Sequence, residues 1–183
     1  MKKLILIISF LFIATSCSLI NFDYDVSSKG QIDKVLGCNL LIGVPDSFKN
    51  NLMSQLNDTL ANSFDDIIEK VKKEDTWPAE SIILKKLSLE QTDIPNSKSS
   101  SNTLGLIKSL KIYISLGNDD DKILLAETEN NDTKSTKLVF ETSNKNIIKY
   151  IDKGFKLTID VEITDCPSEN IKFNNNMTVN INL

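Results

Sequence analysis

The chain has 183 residues, 40% of them hydrophobic and 25% charged, with a net charge of −4, a globular composition sized for one domain or one domain plus a helical appendage. All 21 basic residues are lysines, so with no histidine and no arginine the sequence excludes a Ser-His-Asp triad, a Cys-His dyad and an HExxH metal site, and it lacks the bidentate cation favoured in phosphoryl chemistry and base reading. A net acidic chain also repels a phosphate backbone, so no nucleic-acid partner is expected.

The chain opens with Lys2 and Lys3, then an apolar run from Leu4 to Ile13, then Ala14-Thr15-Ser16-Cys17. This is the three-part layout of a secretory signal peptide, and its apolar run is well short of the roughly 20 residues that span a bilayer. Ala14-Thr15-Ser16-Cys17 resembles the lipobox of bacterial lipoproteins, with Ala14 standing where leucine is usual. The resemblance covers residues 1–17. It implies cleavage before Cys17, acylation of Cys17, and attachment of the protein to a membrane of the bacterial cell envelope through that lipid anchor. Ser18 stands where an aspartate would imply inner-membrane retention, and so points to the outer membrane. The alternative reading is an ordinary signal peptide cut after Ser16, which gives a plainly secreted protein.

The expected organisation is a signal peptide over residues 1–16, a lipidated tether over 17–30, and a single β-rich domain over 31–183. Cys38 and Cys166 remain once Cys17 is set aside. In an oxidising compartment they form a disulfide or stand as two separate thiols; sequence alone leaves both open. A zinc site is not expected from two cysteines without histidine.

Residues 31–44 hold an apolar stretch broken by Gly37 and Gly43, consistent with a strand or a bulged strand. Asp46 or Ser47 then offers an N-cap for the clearest element. Phe48, Leu52, Leu56, Leu60, Phe64 and Ile68 recur every four residues, widened by Met53, Ile67 and Val71. That spacing predicts an amphipathic helix over about 47–73, whose last turn carries Lys70, Lys72 and Lys73. Trp77-Pro78 closes the helical section, with Trp77 read as a core plug rather than a ligand-stacking ring.

Beyond Pro78 the period changes from four to two. Residues 81–90 form a candidate strand, a polar loop covers 91–103, and 104–128 reads as a hairpin turning at Gly117-Asn118-Asp119-Asp120-Asp121. Residues 137–142 suit another strand, 144–153 a short helical turn ended by Gly154, and Phe155–Ile163 a strand of clean alternation. A turn at Cys166-Pro167 leads to a final strand with Met177, Val179, Ile181 and Leu183 on one face. Apolar-in, polar-out alternation is the antiparallel signature. The predicted fold is mainly β with one long α-helix, an antiparallel β-sandwich or open barrel of six or seven strands preceded by the amphipathic helix.

The candidate chemistry is sparse. Asp119-Asp120-Asp121 lacks the ligand spacing of a calcium loop and reads as a solvated turn. There is no GxSxG, SxxK, GxGxxG or phosphate-binding glycine loop. No catalytic residue, cofactor or metal is therefore expected. The expected role is a non-catalytic binding or structural module held at a membrane, with an envelope protein or an apolar ligand as partner. Two alternatives remain: a carrier of lipid or another apolar ligand in a helix–sheet groove, and a hydrolase using only Asp, Glu or Lys.

Overall fold

The computed structural model describes residues 21–35, 44–73, 79–93, 102–117, 121–130 and 132–183. Among these residues eight strands run in the order β1 (Asn21–Ile32), β2 (Ser81–Gln91), β3 (Ile107–Ser115), β4 (Ile123–Glu129), β5 (Lys137–Val139), β6 (Glu141–Thr142), β7 (Lys156–Ile163) and β8 (Ile171–Asn182). The long helix α1 (Asp46–Lys73) lies between β1 and β2, and a short helix α2 (Ile148–Lys153) lies between β6 and β7. The strands form two four-stranded sheets, ordered β1-β8-β2-β5 and β6-β4-β3-β7, and every pairing is antiparallel.

The two sides of this sandwich are closed differently. On one side β5 and β6 belong to a single extended segment interrupted at Phe140, which carries the chain from one sheet to the other. The Phe140 amide donates to the Leu87 carbonyl at 3.1 Å, and the Ser143 amide to the Leu125 carbonyl at 2.9 Å. On the opposite side α1 packs against β1 and β7, the edge strands of the two sheets. The architecture is thus a sandwich with a helix along its open side, not a closed barrel, as the alternation of the sequence predicts.

The helix forms where its four-residue repeat predicts. Phe48, Leu52, Leu56, Leu60, Phe64, Ile67 and Val71 are buried along one stripe. The Pro45 carbonyl accepts from the amides of Phe48 and Lys49, so Asp46 lies within the first turn instead of capping it. There its charge suits the positive end of the helix dipole, as Lys70, Lys72 and Lys73 suit the negative end. No helix among the described residues is long and apolar enough to cross a membrane.

Four boundaries differ from expectation. Residues 21–30, expected as tether, are most of β1, which pairs with β8 along its whole length from Asn21↔Asn182 to Ile32↔Ile171. The long helix therefore follows a strand and does not precede the sheets. The interior face of β1 includes Ser28 and Gly30, small residues that mute the apolar alternation because α1 crosses directly over them. The expected strand over 31–44 falls partly on the end of β1, while residues 36–43 lie outside the described residues. β8 begins at Ile171, six positions ahead of Met177, because Ile171 and Phe173 continue its buried face through the polar run Asn174-Asn175-Asn176. Leu104–Leu106, expected as the start of a strand, instead form a buried 3-10 turn ahead of β3.

Candidate functional site

The helix runs antiparallel to β1. Ser63 meets Ser28, Thr59 lies over Gly30, and Gln55 reaches Asp33. This crossing builds a polar cluster around the buried Ser63 and Asn175. The Ser28 and Ser63 hydroxyls are 2.7 Å apart. The Asn175 side-chain amide, fully buried, donates to the Ser63 hydroxyl at 2.9 Å. Ser63 also lies 3.1 Å from the Thr59 carbonyl one helical turn earlier.

Beside this crossing lies a groove of about 780 Å³ between β1, α1 and the start of β8. Its floor is Gly30 and Phe173, and its walls carry Gln31, Asp33, Gln55, Asp58, Lys29 and Lys172. The Asp33 carboxylate organises one wall, taking hydrogen bonds from the Gln31 amide at 2.7 Å and the Gln55 amide at 2.6 Å. The Gln55 side-chain oxygen is buried without a hydrogen-bond partner among the described residues. Lys172 pairs with Asp93 at 3.3 Å. Amides, a carboxylate and lysines suit a hydrogen-bonding ligand better than a hydrocarbon.

A second groove, about 590 Å³, lies between the first turns of α1 and the outer face of β7 and β3. Asp46, Lys49 and Asn50 face Lys111, Asp160 and Glu162 across it. The Lys108 ammonium beside Glu162, at 2.7 Å, holds that carboxyl below the usual carboxylate range by its hydrogen bond, and Glu162 in turn raises Lys108. Both groups are solvent-exposed, so this is a screened surface pair.

Cys17, Cys38, Trp77, Asp119 and Asp120 lie outside the described residues, so the readings placed on them have no structural account. Cys166 is disulfide-bonded and buried against the core. Asp121 accepts the Leu116 amide at 3.1 and 3.2 Å, and its carbonyl accepts the Tyr150 hydroxyl at 2.9 Å, so it ties the β3–β4 turn to α2. No cluster of three metal-capable side chains occurs among the described residues.

The helix stripe is packed against the sheets, and the two grooves described above are walled by polar and charged groups. The buried polar side chains among the described residues are amides and hydroxyls, not carboxylates. Sequence reasoning missed Gln31, Asp33 and Gln55 as a group, because residues 21–30 read as a tether, and nothing local brings the end of that segment against the flank of the helix. Gln55 and Thr59 stand four residues apart beside the apolar stripe, the one local hint that this flank of the helix is occupied. No family model matches the chain, and no curated protein matches it.

Proposed function

We propose that this protein is a lipid-anchored protein of the bacterial envelope whose sandwich acts as a non-catalytic binding or interaction module. The observation that carries the reading is the lipobox-like Ala14-Thr15-Ser16-Cys17 at the end of a signal-peptide layout. Acyl chains on one cysteine hold a protein to a membrane without a spanning helix, since two chains already suffice. Strand β1 begins at Asn21, four residues beyond Cys17, so the anchor would tie the start of β1 close to the bilayer. The binding role is supported by the polar groove beside the β1–α1 crossing, organised by Asp33 at the other end of β1. Carriage of an apolar ligand finds no comparable support, because the helix stripe is consumed in the core. Hydrolysis by carboxylates alone would call for a buried acid, and the buried polar groups described are of other types.

The test is the intact mass and fractionation of the protein from its native membranes, alongside a Cys17→Ser variant. The expected result is a chain beginning at Cys17 with added acyl mass, and a soluble Cys17→Ser protein. A wild-type chain recovered soluble and without acyl mass would overturn the anchor. Separation of the two membranes tests the outer-membrane assignment that Ser18 suggests.

A further inference from the structure

The chain has three cysteines, Cys17, Cys38 and Cys166, and Cys166 is disulfide-bonded. Which of the other two it joins follows from where the fold holds it. The segment around Cys166 is fixed at one end of the sandwich by three sets of contacts. The Val35 amide donates to the carbonyl of Pro167 at 2.9 Å, and the Lys34 amide to the Asn170 side chain at 2.9 Å. The Ser168 amide and hydroxyl both donate to the Asn102 side chain, and the Asn102 carbonyl holds Gln91, the last residue of β2. This is the end at which Ile32 pairs with Ile171.

Asn21 lies at the other end, paired with Asn182. The twelve-residue strand between the two ends is about 36 Å long at the usual rise per residue. Cys17 precedes Asn21 by four residues, which span at most about 14 Å when fully extended. Cys38 follows Val35 by three residues, about 11 Å of chain, and Val35 is already hydrogen-bonded to the neighbour of Cys166. A bridge needs Cα atoms within about 7 Å. Cys38 has the reach, and Cys17 does not.

We propose that Cys166 is bridged to Cys38, and that Cys17 thereby keeps its sulfur for the lipid. The second half rests on the anchor reading above; the first does not. The bridge forms when two thiols lose two protons and two electrons to a disulfide-bearing protein oxidant of the exported compartment, which leaves as a dithiol. It staples the segment after β1 to the turn before β8, at the end of the sandwich opposite the anchor. The two covalent modifications of the chain would then lie at opposite ends of one pair of strands, each out of reach of the other.

Cleavage after lysine separates the three cysteines, into residues 17–29 of the processed chain, 35–49 and 157–172. The experiment is peptide mapping by mass spectrometry, without reduction, of the full protein from its native membrane. The expected result is 35–49 joined to 157–172, with acyl mass on the peptide beginning at Cys17. A link between 157–172 and the peptide carrying Cys17 would overturn the pairing and the availability of Cys17 together. A 35–49 to 157–172 link beside an unacylated Cys17 would uphold the pairing and overturn the anchor reading alone. In a Cys38→Ser variant the link should vanish while the acyl mass on Cys17 stays; transfer of the link to Cys17 would show that reach does not decide the partner.

Discussion

The Ser28 and Ser63 hydroxyls meet at 2.7 Å where helix α1 crosses the edge strand β1, and this contact fixes how the helix seals the open side of the sandwich. Each residue is the small polar member of its own apolar face. Larger side chains here would hold helix and strand apart. The fully buried Asn175 completes the contact from the adjacent strand, donating to Ser63.

Removing one member of that cluster should cost more than removing two. Ser63→Ala leaves the Asn175 amide without its strongest acceptor, and an unsatisfied buried donor costs about 1–3 kcal/mol. Asn175→Leu in the Ser63→Ala background should recover part of that loss, since matched apolar replacement of both partners is nearly neutral. A double-mutant cycle by chemical denaturation gives the coupling. Strict additivity would show that the two side chains do not interact.

Gly30 is the tightest point of the crossing. A Cβ there would meet the Phe173 ring at 2.3 Å and the Thr59 hydroxyl at 2.9 Å. Phe173 is buried and Thr59 is bonded to the Gln55 carbonyl, so neither can swing aside. Gly30→Ala should destabilise by about 1–3 kcal/mol, the usual cost of overpacking, seen as a lowered melting temperature. An unchanged melting temperature would mean that helix and strand sit farther apart.

The helix stripe should behave as core. Leu56→Ala removes a side chain that is 1% exposed and should cost about 2–5 kcal/mol. Asn62→Ala, on the exposed face, should stay within about 0.5 kcal/mol of the parent. Equal effects at the two positions would contradict the packing of α1 on the sheets.

The Lys108–Glu162 pair carries a sign that can be checked. Glu162 has its pKa lowered on folding, so its contribution is full above the ordinary carboxylate range and fades as the pH falls through the lowered value. Lys108 has its pKa raised, so its contribution is full below the ordinary ammonium range and fades as the pH rises through the raised value. The gap in melting temperature between the parent and Glu162→Gln should therefore shrink under acid, and shrink again in high salt because the pair is exposed. A gap independent of both would rule the pair out as its source.

Periodicity by itself determined the helix and most of the strands. Leu52, Leu56 and Leu60 fall on one side of a helix at 3.6 residues per turn whatever lies opposite, and Leu157, Ile159 and Val161 fall on one side of a strand in the same way. The lipobox resemblance and the exclusion of histidine chemistry are likewise properties of the chain read alone. Tertiary structure decided what depends on a partner from elsewhere in the sequence. Ser28 and Gly30 look like a polar tether until α1 lies over them, because a close crossing selects small residues and erases the apolar signal that marks a strand. Asn175 interrupts the inner face of β8 and is tolerated only because Ser28 and Ser63 receive it. Phe140 divides one extended segment between two sheets, a switch set by the positions of β2 and β4 and not by local pattern. The groove walled by Gln31, Asp33 and Gln55 exists for the same reason: its residues come from a strand and a helix whose contact no local sequence signal encodes.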